Sequence, residues 1–585
     1  MLAIYGIFAA KLGKRTDFPV QLLDDAVTPL SMNVRTVDGE IHRARGRVAI
    51  CPDPVAWNNK TAYDEGDAVI HGGVIYVADV GTTGNEPPHA DWTAVTVPDS
   101  TAPILHYHRL VLRSGLSYLY AFTKNAIYVW NETQSYWQNW VGETDAVEAI
   151  VIDPTTTEWS TATYHDMVIA TNGKQALLYG GPGKVAVLGT SPFTYVGDNS
   201  SIATHGLDLD GDGDGTKVIA KFVLTYEDYV LIGNLSEGGT AANNRMRHCG
   251  IGDIMDWDQT GAAAGAIDIP NQTGLTGGKV SGDRVILFGD SAYGQLWLTA
   301  DEYLRFEYAE ISSEYGCMAP GSIVARVDGS ILFLASDMRL REAASGRDIS
   351  EGIDDVLRRI PLEYVSLVRA QRIPEYDEIW WSIPYGLVEA NNRVITLTAD
   401  GVWNELSWDI ACFGAYSTQT AWTLETLPYA TLTEWAEEWV TIGDMAGASG
   451  FLYDIGADDT GATYRLHATT TDKGEDFSGA FSLETDLYEG FALNVFKRLL
   501  RVRLYMQRDP GTTINVAVAR DSELYWRDIG AHTMVVPSVF DTALMVILDY
   551  PCDGRAQHFG IRVESSNGDF RFVGMLFEYV PDGAR

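Results

Sequence analysis

Residues 245–335 read RMRHCGIGDIMDWDQTGAAAGAIDIPNQTGLTGGKVSGDRVILFGDSAYGQLWLTADEYLRFEYAEISSEYGCMAPGSIVARVDGSILFLA, and this stretch decides the fold class. Three apolar runs stand out: Val285, Ile286, Leu287 and Phe288; then Leu296, Trp297 and Leu298; then Ile331, Leu332, Phe333 and Leu334. Between them fall Gly-Asp, Asp-Gly and Ser-Gly pairs. Gly supplies positive φ at no steric cost and Asp bonds its own backbone, so short apolar runs bounded by such pairs read as strands joined by tight turns. The stretch predicts two successive blades of a repeated β structure, with Trp257 and Cys317 as packing residues.

Outward from it, the same alternation of an inner apolar strand with an outer aromatic one recurs between residues 100 and 470. Examples are LVLRSGLSYLYAFTKNAIYVWN (110–131), MVIATNGKQALLYGG (167–181), FVLTYEDYVLIGNL (222–235), EIWWSIPYG (378–386) and WVTIGDMAGASGFLYDIG (439–456). A recurrence of roughly 45–55 residues is the spacing of propeller blades. The fold class predicted is all-β: a β-propeller of six to eight irregular blades, with a small inserted β module and a C-terminal β-sandwich. The domain boundaries expected are 1–52 for an N-terminal arm and first propeller strands, 53–98 for the inserted module, 99–470 for the propeller and 471–585 for the sandwich. A plain N-terminal strand that closes a blade is the alternative for the first segment. In the last segment FKRLLRVRLYMQ, TTINVAVARD, HFGIRVESS and FRFVGMLFEYV alternate strictly around the turns at 509–511 and 567–569. One segment breaks the β pattern: in DISEGIDDVLRRIPLEYVSLV, residues Ile349, Ile353, Val356 or Leu357, and Ile360 fall at helical spacing, with Ser350 placed to cap.

Charge bounds the partners. The 585 residues carry 42 basic and 79 acidic side chains, a formal net charge of −37. Tight non-specific binding to nucleic acid draws on Lys and Arg at phosphates, so this balance disfavours it. Five cysteines, Cys51, Cys249, Cys317, Cys412 and Cys552, are scattered with no C-x-x-C pair and read as small buried thiols. The opening MLAIYGIFAA is followed, not preceded, by Lys11, Lys14 and Arg15, the reverse of a secretory signal. A chain that keeps its N-terminus and has no membrane span is expected.

Reactive constellations are sparse. There is no G-x-S-x-G, P-loop, H-E-x-x-H or Asp-box motif, so a non-enzyme is expected. His106 and His108 share one face of a strand and could begin a metal site, but no third ligand stands in register. Asp208, Asp210, Asp212 and Asp214 in DLDGDGDG resemble the first half of a calcium loop; the position due a bidentate glutamate holds Ile219 or Lys221. No resident cofactor is expected, with Ca2+ the one ion this acidic loop could hold. Lys497, Arg498, Arg501 and Arg503, together with Arg508, are the densest basic cluster. They read either as a solvated strand face or as a docking surface for an acidic neighbouring ring.

The order of features in 245–336, a charged strand, a G-D-x-x-D-W turn, AGAIDI, DRVILF, YGQLWLT, then ISSEYGC, resembles the propeller of tail hub or nozzle proteins of short-tailed bacteriophages, the tail tubular protein B-like proteins. The segment NVRTVDGEIHRARG (33–46) resembles their opening. The resemblance implies a virion structural protein: a homohexameric ring docked on a tail adaptor ring, with DNA passing through its channel without tight binding. Such a protein is made in the host cytoplasm and resides in the virion tail. Separately, residues 53–97, with Trp57, Tyr63, Gly66, Asp67, Gly73, Tyr76 and Trp92, resemble carbohydrate-binding modules of families 5 and 12, small chitin- or cellulose-binding units. That likeness implies Trp57, Tyr63, Tyr76 and Trp92 as sugar-contacting residues and a cell-surface glycan as partner, since aromatic faces stack on pyranose rings. In so small a unit the same aromatics could instead be the core. The alternative for the whole chain is a carbohydrate-binding propeller lectin.

Overall fold

The structure is a computed structural model. It describes residues 3–7, 31–50, 55–95, 103–139, 152–181, 194–195, 207, 218–257, 259, 264–417, 452–485, 495–534 and 545–581, less a few short gaps within them. The chain divides into two compact units. One comprises residues 1–48, 321–410 and 466–585, the other 49–320 and 411–465.

The second unit holds four antiparallel meanders of four strands each. The first is Ile104–Val111, Ser117–Thr123, Ile127–Asn131 and Tyr136–Asn139; the second is Ser160–Tyr164, Met167–Thr171, Leu178–Gly180 and Thr194–Tyr195. The third is Val218–Tyr226, Tyr229–Glu237, Thr240–His248 and Gly265–Asp268; the fourth is Leu275–Ser281, Arg284–Gly289, Tyr293–Leu298 and Phe306–Ser312. Cys412–Ser417, Leu452–Ala457 and Thr463–Thr469 form a further sheet of the same kind.

Successive sheets share apolar layers. Leu110, Tyr120 and Phe122 of the first pack with Val168, Ala170 and Leu178 of the second, and Phe222, Tyr229 and Leu231 of the third with Leu275, Val285 and Leu287 of the fourth. Side chains also bridge them: the Trp159 indole donates to the Thr123 carbonyl at 2.8 Å, and the Asn234 amide to the Leu275 carbonyl at 2.7 Å. A strand covered on both faces needs apolar residues in a row rather than in alternation, which is why VILF in Arg284–Gly289 is buried throughout.

The first unit holds two more such sheets, one of Val324–Ala325, Ile331–Leu334 and Leu340–Glu342 and one of Arg369–Ile373, Glu378–Ile383, Arg393–Leu397 and Trp403–Leu406. It also holds the sandwich. Its six-stranded sheet contains Lys497–Gln507, Met545–Ala556 and Arg571–Pro581, and its five-stranded sheet contains Gly479–Thr485, Thr513–Arg520, Arg527–Thr533 and Phe559–Ser565. One core, including Phe481, Leu504, Val516, Ile561 and Phe577, is built from both. The fold is therefore an all-β propeller with a small inserted module and a C-terminal β-sandwich.

Three local expectations change. The N-terminal segment belongs mostly to the sandwich: Ala3–Ile7, Val34–Val37 and Glu40–Arg43 lie in the six-stranded sheet and Ser31–Met32 in the five-stranded one. Residues 33–46 act as a clasp within the first unit. Asn33, at φ 55°, donates from its amide to Ser478 O at 2.8 Å and accepts from the Ser407 N–H at 2.7 Å. Arg35 meets Glu378 at 2.6 Å and lies 3.6 Å from the Tyr376 ring centroid, and Gly46 passes so close to Thr471 that a Cβ would stand 2.0 Å from its carbonyl oxygen.

The predicted helix shrinks to Asp354–Leu357, followed by a 3-10 turn over Leu362–Leu367. Pro361 between them cannot continue an α-helix, and the Ser350 hydroxyl is engaged with Asp348 at 2.6 Å instead of capping an N-terminus. Finally, 245–335 holds one whole sheet and strands of two others, rather than two complete blades. Trp257 and Cys317 are buried there, as expected of packing residues.

Candidate functional site: the outward face of the inserted module

The module is a four-stranded sheet in the order Trp92–Val95, Val74–Ala78, Ala68–His71, Val55–Ala56, with a two-stranded pair of Thr82–Thr83 and Ala62–Tyr63 beside it. The turn between Ala68–His71 and Val74–Ala78 includes Gly72 at φ 60°, a conformation Gly adopts freely. Side chains alternate across a sheet, so register assigns the faces. Val69 pairs with Tyr76 and His71 with Val74, while Trp92 pairs with Ala78. The opposite face, Ala68, Ile75 and Val77, packs on Tyr136 of the first propeller sheet.

The four aromatics named from the sequence separate into two pairs. Tyr63 is 4% exposed and Trp92 5%, their rings 5.3 Å apart and edge-on, over Val69 and Ala78. The Tyr63 hydroxyl accepts the Asn58 N–H at 2.8 Å, and the Trp92 indole donates to Asn85 O at 2.8 Å. Rings so enclosed have no face left for a sugar, so Tyr63 and Trp92 are withdrawn as contact residues. Trp57 and Tyr76 lie against the same cluster but remain half-buried.

On the strand between these two stands His71, whose ring centroid is 5.5 Å from that of Trp57, and opposite it Val74, which is 41% exposed. Sequence reasoning missed His71 and Val74. The period of two places Val74 on the Tyr76 face, and reading Gly72-Gly73 as a two-residue hairpin turn would have set His71 opposite Val74 on that same face. Nearby, hydrogen bonds from Asn85 and Thr82 hold the Asp91 carboxyl below the usual carboxylate range and fix the turn that carries Trp92.

The other named residues fall elsewhere. Asp208, Asp210, Asp212 and Asp214 lie outside the described residues. Among the described residues no group of three or more His, Cys, Asp or Glu side chains could hold a metal ion. His106 and His108 both reach the Thr161 hydroxyl, at 2.7 and 2.8 Å, and His108 also meets Thr163 at 2.9 Å. Both nitrogens of His108 are thus engaged, and burial pushes its pKa down to about 4.

The basic cluster is not an open docking patch. Lys497 is buried, Arg498 is paired with Asp553 at 2.7 Å, Arg501 with Asp549 at 3.1 Å and Arg503 with Glu578 at 2.8 Å. Facing strands supply a carboxylate for each arginine, which leaves little net charge for a partner. Among the described residues no helix is long and apolar enough to cross a membrane.

No protein-family model matches the chain, and no curated protein matches it. Solved structures match at low identity. The extracellular domain of a hybrid two component system from B. thetaiotaomicron matches at 12% identity and TM-score 0.30, over 58% of this chain and 39% of its own. This chain thus spans about two fifths of that structure. The Cps50 (Swd1) β-propeller domain of Myceliophteria thermophila matches at 10% and 0.27, over 62% and 99%. A glycoside hydrolase family 43 arabinoxylan arabinofuranohydrolase from Bacillus subtilis, in complex with cellotetraose, matches at 10% and 0.22, over 91% and 99%. The expectation of a non-enzyme is corrected on this last finding. Its TM-score of 0.22 carries no activity across to this chain.

Proposed function

We propose that the chain is a carbohydrate-binding propeller protein and that the outward face of the inserted module contacts the glycan. The observation that carries this reading is the division of the module's aromatics. Tyr63 and Trp92 supply a core sufficient for so small a sheet, so Trp57 and Tyr76 are not needed as its centre and keep partial exposure. Both are on the side away from Tyr136, with His71 on the strand between them as a hydrogen-bonding group. An indole and a phenol flanking an imidazole offer apolar faces to pyranose C–H groups and a polar atom to a hydroxyl.

Retention on insoluble chitin tests it. Wild type should be retained, Trp57→Ala should elute while melting like wild type, and Trp92→Ala should lose the module's fold. Wild type in the flow-through, or Trp57→Ala retained as wild type is, contradicts the proposal.

The virion nozzle is a second proposal. It rests on the likeness of 245–336 to tail nozzle proteins and on the net charge of −37, which suits a lumen that repels a DNA backbone. It requires a closed homohexameric ring that docks on an adaptor ring. Sedimentation of the purified chain, alone and with the adaptor ring, separates the two readings. A hexamer in either case favours the nozzle; a chain that stays monomeric in both, yet is retained on chitin, favours the lectin.

A further inference from the structure

The five-stranded sheet of the sandwich carries a groove on the face away from its core. Register brings its walls together: Asn515 lies opposite Glu564 and Ala531, and Ala517 opposite Arg562 and Asp528. Alternate residues Ile514, Val516, Val518, Ile561 and Val563 belong to the core, so the strand period of two leaves Asn515, Ala517, Arg562 and Glu564 on the other face, and a register shift between Val516 and Ala517 sets both Asp528 and Ala531 opposite them. They line a cavity of about 430 Å³, within the roughly 300–1,000 Å³ of small-molecule sites.

The polar groups of this cavity differ in burial: the Arg562 Nε is enclosed, Asn515 is half-buried and Asp528 is exposed. The Arg562 guanidinium is 5.5 Å from the Trp526 ring centroid and 3.7 Å from the Glu564 carboxylate. Its Nε is shut off from solvent with no acceptor, and neither the Asn515 amide nor the Asp528 carboxylate has a hydrogen-bond partner among the described residues. Asn515 and Asp528 carry no protein partner among the described residues and face the groove, so a ligand there meets a free amide and a free carboxylate, with the outer nitrogens of Arg562 beside them.

Charge and chemistry narrow the ligand. One arginine against two carboxylates disfavours an anion, and among the described residues no metal-ion grouping occurs here. What fits is a neutral molecule with many hydroxyl groups, each able to donate and accept, and with small apolar faces. We infer that this groove binds a neutral oligosaccharide. Arg562 and the Asn515 amide donate to hydroxyl oxygens, Asp528 and Glu564 accept from hydroxyls, and the methyls of Ala517 and Ala531 meet the C–H face of a ring. The site shares no residue with the inserted module and stands or falls separately from it.

Titration calorimetry on the full chain tests this, using cellohexaose, xylohexaose, chitohexaose and inorganic phosphate as probes. The Trp57→Ala chain should bind cellohexaose or xylohexaose and no phosphate. Adding Asn515→Ala or Asp528→Asn should weaken that binding about tenfold or more, the loss of one or two ligand hydrogen bonds. Asp528 is exposed, so Asp528→Asn reports on the groove even where Asn515→Ala disturbs the sheet. The inference is overturned if neither cellohexaose nor xylohexaose binds the Trp57→Ala chain, if phosphate binds in their place, or if Asp528→Asn binds as its parent does.

Discussion

At the scale of the residue, burial decides roles that residue type leaves open. Trp92 and Trp57 are the same amino acid in the same small module, yet one is enclosed and the other half-buried. Trp92→Ala should cost about 3–5 kcal/mol of module stability, as large-to-small changes in a core do, and limited proteolysis should then cut within residues 53–98. His108 gives a pH prediction with a definite sign. Its folded pKa is pushed down to about 4 from an ordinary 6.5, so the unfolded chain takes up the proton first. The stability of the neutral, hydroxyl-bonded imidazole is complete above pH 6.5, falls as pH drops through the window, and is gone below 4. The loss is at most on the order of 3 kcal/mol. Burial also lowers the pKa of His467 and His248, with the same sign. Thermal unfolding between pH 7 and 4 should therefore decline less steeply in His108→Gln, which keeps hydrogen-bonding groups without the titration; an unchanged slope would place the acid sensitivity elsewhere.

At the scale of the element, local pattern predicted the strands but not where they dock. The apolar runs of 245–335 and the alternation of FKRLLRVRLYMQ were legible because period and turn chemistry are local. The N-terminal strands were not, since Tyr5 pairs with Phe577 and Ile41 with Phe572, and nothing in a window of ten residues encodes a partner so distant in sequence. The clasp of residues 33–46 was visible as a motif but not as a joint. Gly46→Ala puts a methyl against the Thr471 carbonyl and should cost about 3 kcal/mol, measurable as a lower unfolding midpoint. The basic strand was legible as a cluster; its neutralisation by Asp549, Asp553 and Glu578 was not, because those residues arrive from other strands. Arg498→Ala should change stability by only about 0–1 kcal/mol, since its pair is exposed.

At the scale of the whole molecule, composition and repeat spacing were enough for the all-β propeller class, because tight-turned strands leave their mark throughout the chain. Function was less legible. The module was visible as a unit, but aromatic content alone could not tell core from contact face, and the groove on the sandwich depends on register among three strands. On the proposed reading the module presents a sugar-contacting face formed by Trp57 and Tyr76 on a core of Tyr63 and Trp92. Its most direct test is the affinity for chitohexaose of wild type and of Trp57→Ala, each with an unfolding curve, in an Asp528→Asn background that weakens the groove. Affinity should fall about tenfold or more, near the 1.5 kcal/mol worth of one aromatic face, with an unchanged unfolding midpoint. Equal affinity in the two proteins would contradict it.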